Sequence, residues 1–121
     1  MPKYDKTVAV MERIIFYCDE VQAFTERFGK TYDAFKNDLA YQRACSMCIL
    51  QIGELATRLN EDFRKKYNII PWANVCGMRN RFAHDYDNMF VPRIWETIAD
   101  DIPALRDYCI FILSESRGKD K

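Results

Sequence analysis

A chain of 121 residues, 49% apolar and 14% aromatic, fits one domain over 1–121 and can bury roughly two thirds of the surface its unfolded form exposes, with no need of disulfides. Its eighteen basic and eighteen acidic residues cancel, which excludes the broad basic footprint of many nucleic-acid binders, so any polyanion site must be local. The first residues lack a signal-peptide pattern, and charge interrupts every apolar stretch well short of the roughly 20 residues of a membrane span, so a soluble cytoplasmic protein with no membrane contact is expected.

Only 4 glycines and 4 prolines punctuate the chain, and helical spacing dominates over alternation, which predicts an all-α fold. Val10, Ile14, Tyr17, Val21, Phe24 and Phe28 recur at steps of three and four, the stripe of a first helix from about Asp5 to Phe28. Gly29 stops it, as glycine does just past a helix end. A second helix begins near Asn37 and Asp38, whose side chains can cap a first turn, and carries Cys45, Cys48, Ile52, Leu55, Leu59 and Phe63 to about Leu59 or slightly beyond. Gly53 costs this helix roughly 1 kcal/mol of propensity and marks a close approach by another helix.

After the polar stretch Glu61 to Asn68, Pro71 and Trp72 start a short third helix with Val75, Met78 and Phe82 on its buried edge. Asp85 to Asn88 form the loop that follows. Pro92 opens a fourth helical region with Ile94, Ile98, Leu105, Cys109 and Ile112 inward; Pro103 must kink or restart it, because it lacks an amide proton and clashes with the preceding turn. Arg117 to Lys121 is a polar, frayed tail. Helices of this length joined by short connections favour an antiparallel bundle of four to five helices.

Five cysteines, an odd number, fall among apolar residues and read as core thiols of a reducing compartment. Cys45 and Cys48 lie inside a helix with no second pair, and the single histidine is far along the chain, so no metal site is expected there. Local basic groups are Arg58, Arg64, Lys65 and Lys66, which read as a solvated helix end, and Arg79 and Arg81.

The stretch Arg79 to Tyr86 gathers two arginines, an amide, a phenol and the only histidine. An imidazole can take and give a proton at neutral pH and a guanidinium can grip phosphate oxygens, a pairing suited to phosphate-ester chemistry without a metal. Asn80 and His84 share a helix face, while Arg79 and His84 differ by roughly 140° around the axis. Either the helix ends before His84, or the arginine reaches around, or a second copy of the motif completes the site. The last option has a chemical attraction: cleaving RNA by its own 2′-hydroxyl needs a base and an acid, and a two-fold dimer of a one-histidine chain supplies both.

Arg79-Asn80-x-x-x-His84-x-Tyr86 resembles the R-x-x-x-x-H-x-Y signature of the HEPN superfamily, specifically the HepT-like toxin ribonucleases. Gly53-Glu54-Leu55, Pro71-Trp72, Ile94-Trp95-Glu96-Thr97 and Asp101-Ile102-Pro103 extend the resemblance along nearly the whole chain. It implies an HEPN-like helical homodimer acting as a metal-independent endoribonuclease without a cofactor, the toxin of a toxin–antitoxin pair. In that role Arg79 steadies the scissile phosphate, Asn80 orients the phosphate or the imidazole, His84 transfers protons, and Arg81 is a candidate contact to RNA. The resemblance further implies a minimal nucleotidyltransferase antitoxin that adds AMP to Tyr86, whose bulk and charge beside His84 would repel an incoming RNA phosphate. The competing readings are a non-catalytic, substrate-presenting or regulatory subunit of a nucleotidyltransferase, and a helical interaction module in which Arg79 pairs with Asp85 or Asp87 and His84 caps a helix.

Overall fold

The computed structural model describes residues 3–119, with side chains over 6–85 and 87–115. Among these residues the chain is helical without a strand, as its spacing predicts. The helices are α1 (Lys3–Phe28), α2 (Tyr32–Lys36), α3 (Leu39–Ala56), α4 (Glu61–Lys66), α5 (Trp72–His84), α6 (Val91–Glu96) and α7 (Ile102–Lys119), with a 3₁₀ turn at Tyr86–Asn88. None of the described helices is long and apolar enough to cross a membrane.

Local chemistry explains the boundaries. Gly29 takes φ 124° and donates its amide to the Thr25 carbonyl at 2.9 Å, ending α1 where a side chain would be strained. Asp38 caps α3 by accepting from the Tyr41 amide at 3.1 Å. Two short helices depart from the sequence reading. Thr31 caps α2 by accepting from Ala34 N, and Asn60 caps α4 by accepting from Phe63 N at 2.8 Å. The stretch expected to be merely polar after Glu61 is therefore α4, and Phe63 belongs to it rather than to the second helix, which stops at Ala56. At the other end, the segment expected to fray from Arg117 continues α7 as far as Lys119; residues 120–121 and the side chains from Ser116 onward lie outside the described residues.

Helix α3 is the centre of the molecule: α1 and α5 both pack on it, and α7 packs on α1. Tyr41, Cys45, Ile49, Ile52 and Ala56 of α3 are fully buried, and each large aliphatic among them stabilises the fold by about 1.5–3 kcal/mol. On α1 the expected stripe is offset. Ile14 and Val21 are buried, but the deep positions between them belong to Met11 and Cys18, while Val10, Tyr17, Phe24 and Phe28 are half-buried. A helix packed against two neighbours buries a wider sector than one stripe describes. Phe28, Phe35 and Trp95 surround Tyr41, whose hydroxyl donates to the Gly29 carbonyl at 2.9 Å and ties the end of α1 to α3.

Gly53 marks the close approach inferred from its sequence. A Cβ there would stand 2.6 Å from Arg79 N and 3.0 Å from Val75 O, so α3 and α5 meet backbone to backbone. The expected disturbance at Pro103 takes the form of a π-helical turn, Thr97–Asp101, between α6 and α7. Widening the helix there accommodates a ring with no amide hydrogen and relieves its clash with the carbonyl of Ala99. Ile94, Ile98, Leu105, Cys109 and Ile112 all face inward as expected.

Cys18, Cys45, Cys48 and Cys109 are free and buried as expected, whereas Cys76, expected in the core with them, is free but only half-buried. Burial pushes the Cys45, Cys48 and Cys109 thiols up to about 12 and raises Cys18 as well, which makes them inert packing groups.

Candidate active site

Helix α5 begins after Pro71, and the Trp72 indole is anchored beneath it, donating from Nε1 to the Tyr67 carbonyl at 3.0 Å. Val75, Met78 and Phe82 bury one edge. The helix ends at His84, where Asp85 N donates to the Arg81 carbonyl and Asn88 N to the Asp85 carbonyl, turning the chain into the 3₁₀ segment.

At about 100° per residue, the buried edge lies opposite Asn80 and His84, which stand about 40° apart on the outward crest of α5. Both are exposed. Around them Ala73, Cys76, Gly77 and Ala83 are small. Arg79 occupies the shoulder toward α3, and Arg81 the opposite shoulder, where it lines a groove against α6 and α7. Among the described residues, the side chains of Asn80, Arg81 and His84 make no hydrogen bond or ion pair.

Of the three routes open to the motif, the first is not taken, because α5 continues through His84. The second is not taken either: Arg79 turns back and pairs through Nε with the Glu54 carboxylate on α3. It does not pair with Asp85 or Asp87. A guanidinium held at Nε retains the donors of both terminal nitrogens, the fork that suits phosphate oxygens. Asn80 and His84 are thus brought together on the crest, with Arg79 beside them on the shoulder. The backbone of Tyr86 opens the 3₁₀ turn immediately beyond, while its side chain lies outside the described residues.

Glu54 is the partner that motif reasoning missed. Nothing near Arg79 in sequence points to a residue 25 positions earlier; the available signal was Gly53, the mark of the helix crossing that brings its neighbour Glu54 beside Arg79. The other basic group, expected to be a solvated helix end, is so only in part: Lys65 and Lys66 are exposed, but Arg64 is half-buried. Arg64 donates to the Ala56 carbonyl at 2.8 Å, covering the free end of α3, and Lys65 pairs with Glu61. Among the described residues no three metal-ligating side chains gather.

Comparison with known proteins bears on this arrangement. The family described as ribonuclease HepT-like matches residues 14–112. A protein of Methanocaldococcus jannaschii described as a "putative RNase" is 32% identical over 121 residues, spanning all of this chain and 98% of that one. One of Caldanaerobacter subterraneus subsp. tengcongensis, described in the same words, is 33% identical over 89 residues, 74% of this chain and 80% of that one. A "probable ribonuclease HepT" of Thermococcus cleftensis is 28% identical over 96 residues, 79% of this chain and 86% of that one. No solved structure matches the chain.

Proposed function

The chain belongs to the HepT-like ribonuclease family, and on that premise we propose that it is a single-domain, metal-independent endoribonuclease working as a homodimer, with one site built from the facing crests of two α5 helices. One His84 removes the proton of an RNA 2′-hydroxyl, the oxygen attacks the adjacent phosphorus, and the P–O5′ bond breaks. The partner's imidazole, protonated, gives its proton to the leaving 5′-oxygen, so the products carry a 2′,3′-cyclic phosphate and a 5′-hydroxyl. Arg79 balances charge on the phosphorus oxygens and Asn80 orients the phosphate. Proton transfer contributes roughly 10²- to 10⁴-fold, and the positive grip adds to it.

The observation that carries this reading is the exposure of Asn80 and His84 together on one crest, flanked by an arginine anchored from below by Glu54. The small residues around them give a second helix room to come near, and a one-histidine chain needs that second copy to hold an acid and a base at once. In the same reading the chain is the toxin of a toxin–antitoxin pair. A minimal nucleotidyltransferase neutralises it by attaching AMP to Tyr86, two residues past His84, where the added phosphodiester excludes RNA.

Purified protein treated with EDTA should cut single-stranded RNA to the stated ends, and His84→Ala and Arg79→Ala should each abolish cutting while eluting at the mass of the same dimer. Absence of cutting, with tight association to a nucleotidyltransferase, would replace the nuclease by a non-catalytic subunit.

A further inference from the structure

We propose that the groove between α5 and the α6–α7 segment is a nucleotide subsite, holding the base of the RNA residue next to the scissile phosphate; it rests on the ribonuclease reading above. α5 packs on α3 and makes little contact with α7, which leaves a groove of about 370 Å³ where a closed bundle would have side chains in contact. Its floor is Met78, Phe82, Met89 and Tyr108, apolar and aromatic, with Arg81 and Asp101 at the rim. An apolar floor with a few polar groups at this volume suits a small planar ligand.

Charge selects the occupant. Arg93, also on the groove, is occupied by Glu96 at 2.9 Å, whereas Arg81 is exposed and makes no ion pair among the described residues. An unengaged guanidinium above an apolar and aromatic floor fits a phosphate joined to a base, because splayed RNA bases stack on aromatic rings and guanidinium planes while the backbone takes the cation. Arg81 also stands three residues before His84, about 4.5 Å along the axis, so a strand crossing the crest reaches the groove within one nucleotide. Asp101, at the end of the π-helical turn, offers an acceptor to a base amino group.

Ala104 is exposed on the groove wall, and Ala104→Trp fills the space from outside the core. Short single-stranded RNA carrying 2-aminopurine, added to full-length His84→Ala protein, should show fluorescence quenching at one position. The quenching should weaken about fivefold or more in affinity when Ala104→Trp or Arg81→Glu is added. In the cleaving background the same two substitutions should raise KM with kcat little changed. Quenching that survives both substitutions in proteins of wild-type melting temperature overturns the subsite, as does a loss of dimer or protein-partner binding with RNA affinity intact. Quenching depends on no cleavage, so an inactive wild type would remove the nuclease reading and leave this measurement standing.

Discussion

Gly53→Ala and Gly77→Ala make the same change in two neighbouring helices and should move stability in opposite directions. At Gly53 the new methyl would meet backbone at 2.6, 3.0 and 3.1 Å. An ordinary contact begins near 3.4 Å, so α3 and α5 must part by about 0.8 Å. Overpacking of this kind costs about 1–3 kcal/mol and is offset by about 1 kcal/mol of helix propensity. Because the obstacle is main chain, which cannot turn aside as a flexible side chain can, the cost falls in the upper part of that range, about 2–3 kcal/mol, and the net should be a loss of about 1–2 kcal/mol. At Gly77 nothing of the same chain lies within 4 Å of the added carbon, and alanine, still small enough for a second helix to come near, should gain about 0.4–1 kcal/mol. With 121 residues and an unfolding entropy of about 2.1 cal/mol/K per residue, each kcal/mol moves Tm by about 4 °C. Calorimetry should therefore find Gly53→Ala about 4–8 °C lower than wild type and Gly77→Ala about 2–4 °C higher. Gly53→Ala melting at or above wild type would refute the close crossing of α3 and α5, and with it the account of how Arg79 is positioned.

Three further outcomes are expected. In the proposed reaction Glu54→Ala should lower kcat about 10- to 100-fold by freeing Arg79, and Glu54→Gln, which keeps an oxygen to accept from Nε–H, should restore much of it; wild-type kcat in Glu54→Ala would remove that role. Tyr41→Phe deletes a buried hydroxyl bonded to the Gly29 carbonyl at 2.9 Å and should cost about 1–2 kcal/mol in urea denaturation. The buried thiols should resist iodoacetamide in the native protein at pH 8. As pH rises past about 9, unfolded thiols release protons that Cys45, Cys48 and Cys109 hold until about 12. The native state then binds more protons than the unfolded one, and stability should fall through this window by at most on the order of 1 kcal/mol per thiol per pH unit. A flat stability profile from pH 8 to 11 would contradict their burial.

What contiguous residues decide was legible in the sequence. Gly29 ends α1, Asp38 caps α3 and Pro71 precedes α5, because caps and breakers act on amides within one turn. The motif's helix and its inward edge could be read for the same reason, since a 3.6-residue period needs no partner to be recognised. Phe63 was misplaced because its spacing continues the period of α3, and only the cap at Asn60 shows that a new helix has begun. The pairing of Arg79 with Glu54 and the meeting of Arg81 with Tyr108 across one groove depended instead on how α3, α5 and α7 cross. Crossing geometry is set by side chains packing between helices far apart in the chain, such as the bare Cα of Gly53 against the backbone of α5. Periodicity can say that a helix has a buried face, but only the packed fold determines which partner lies against it.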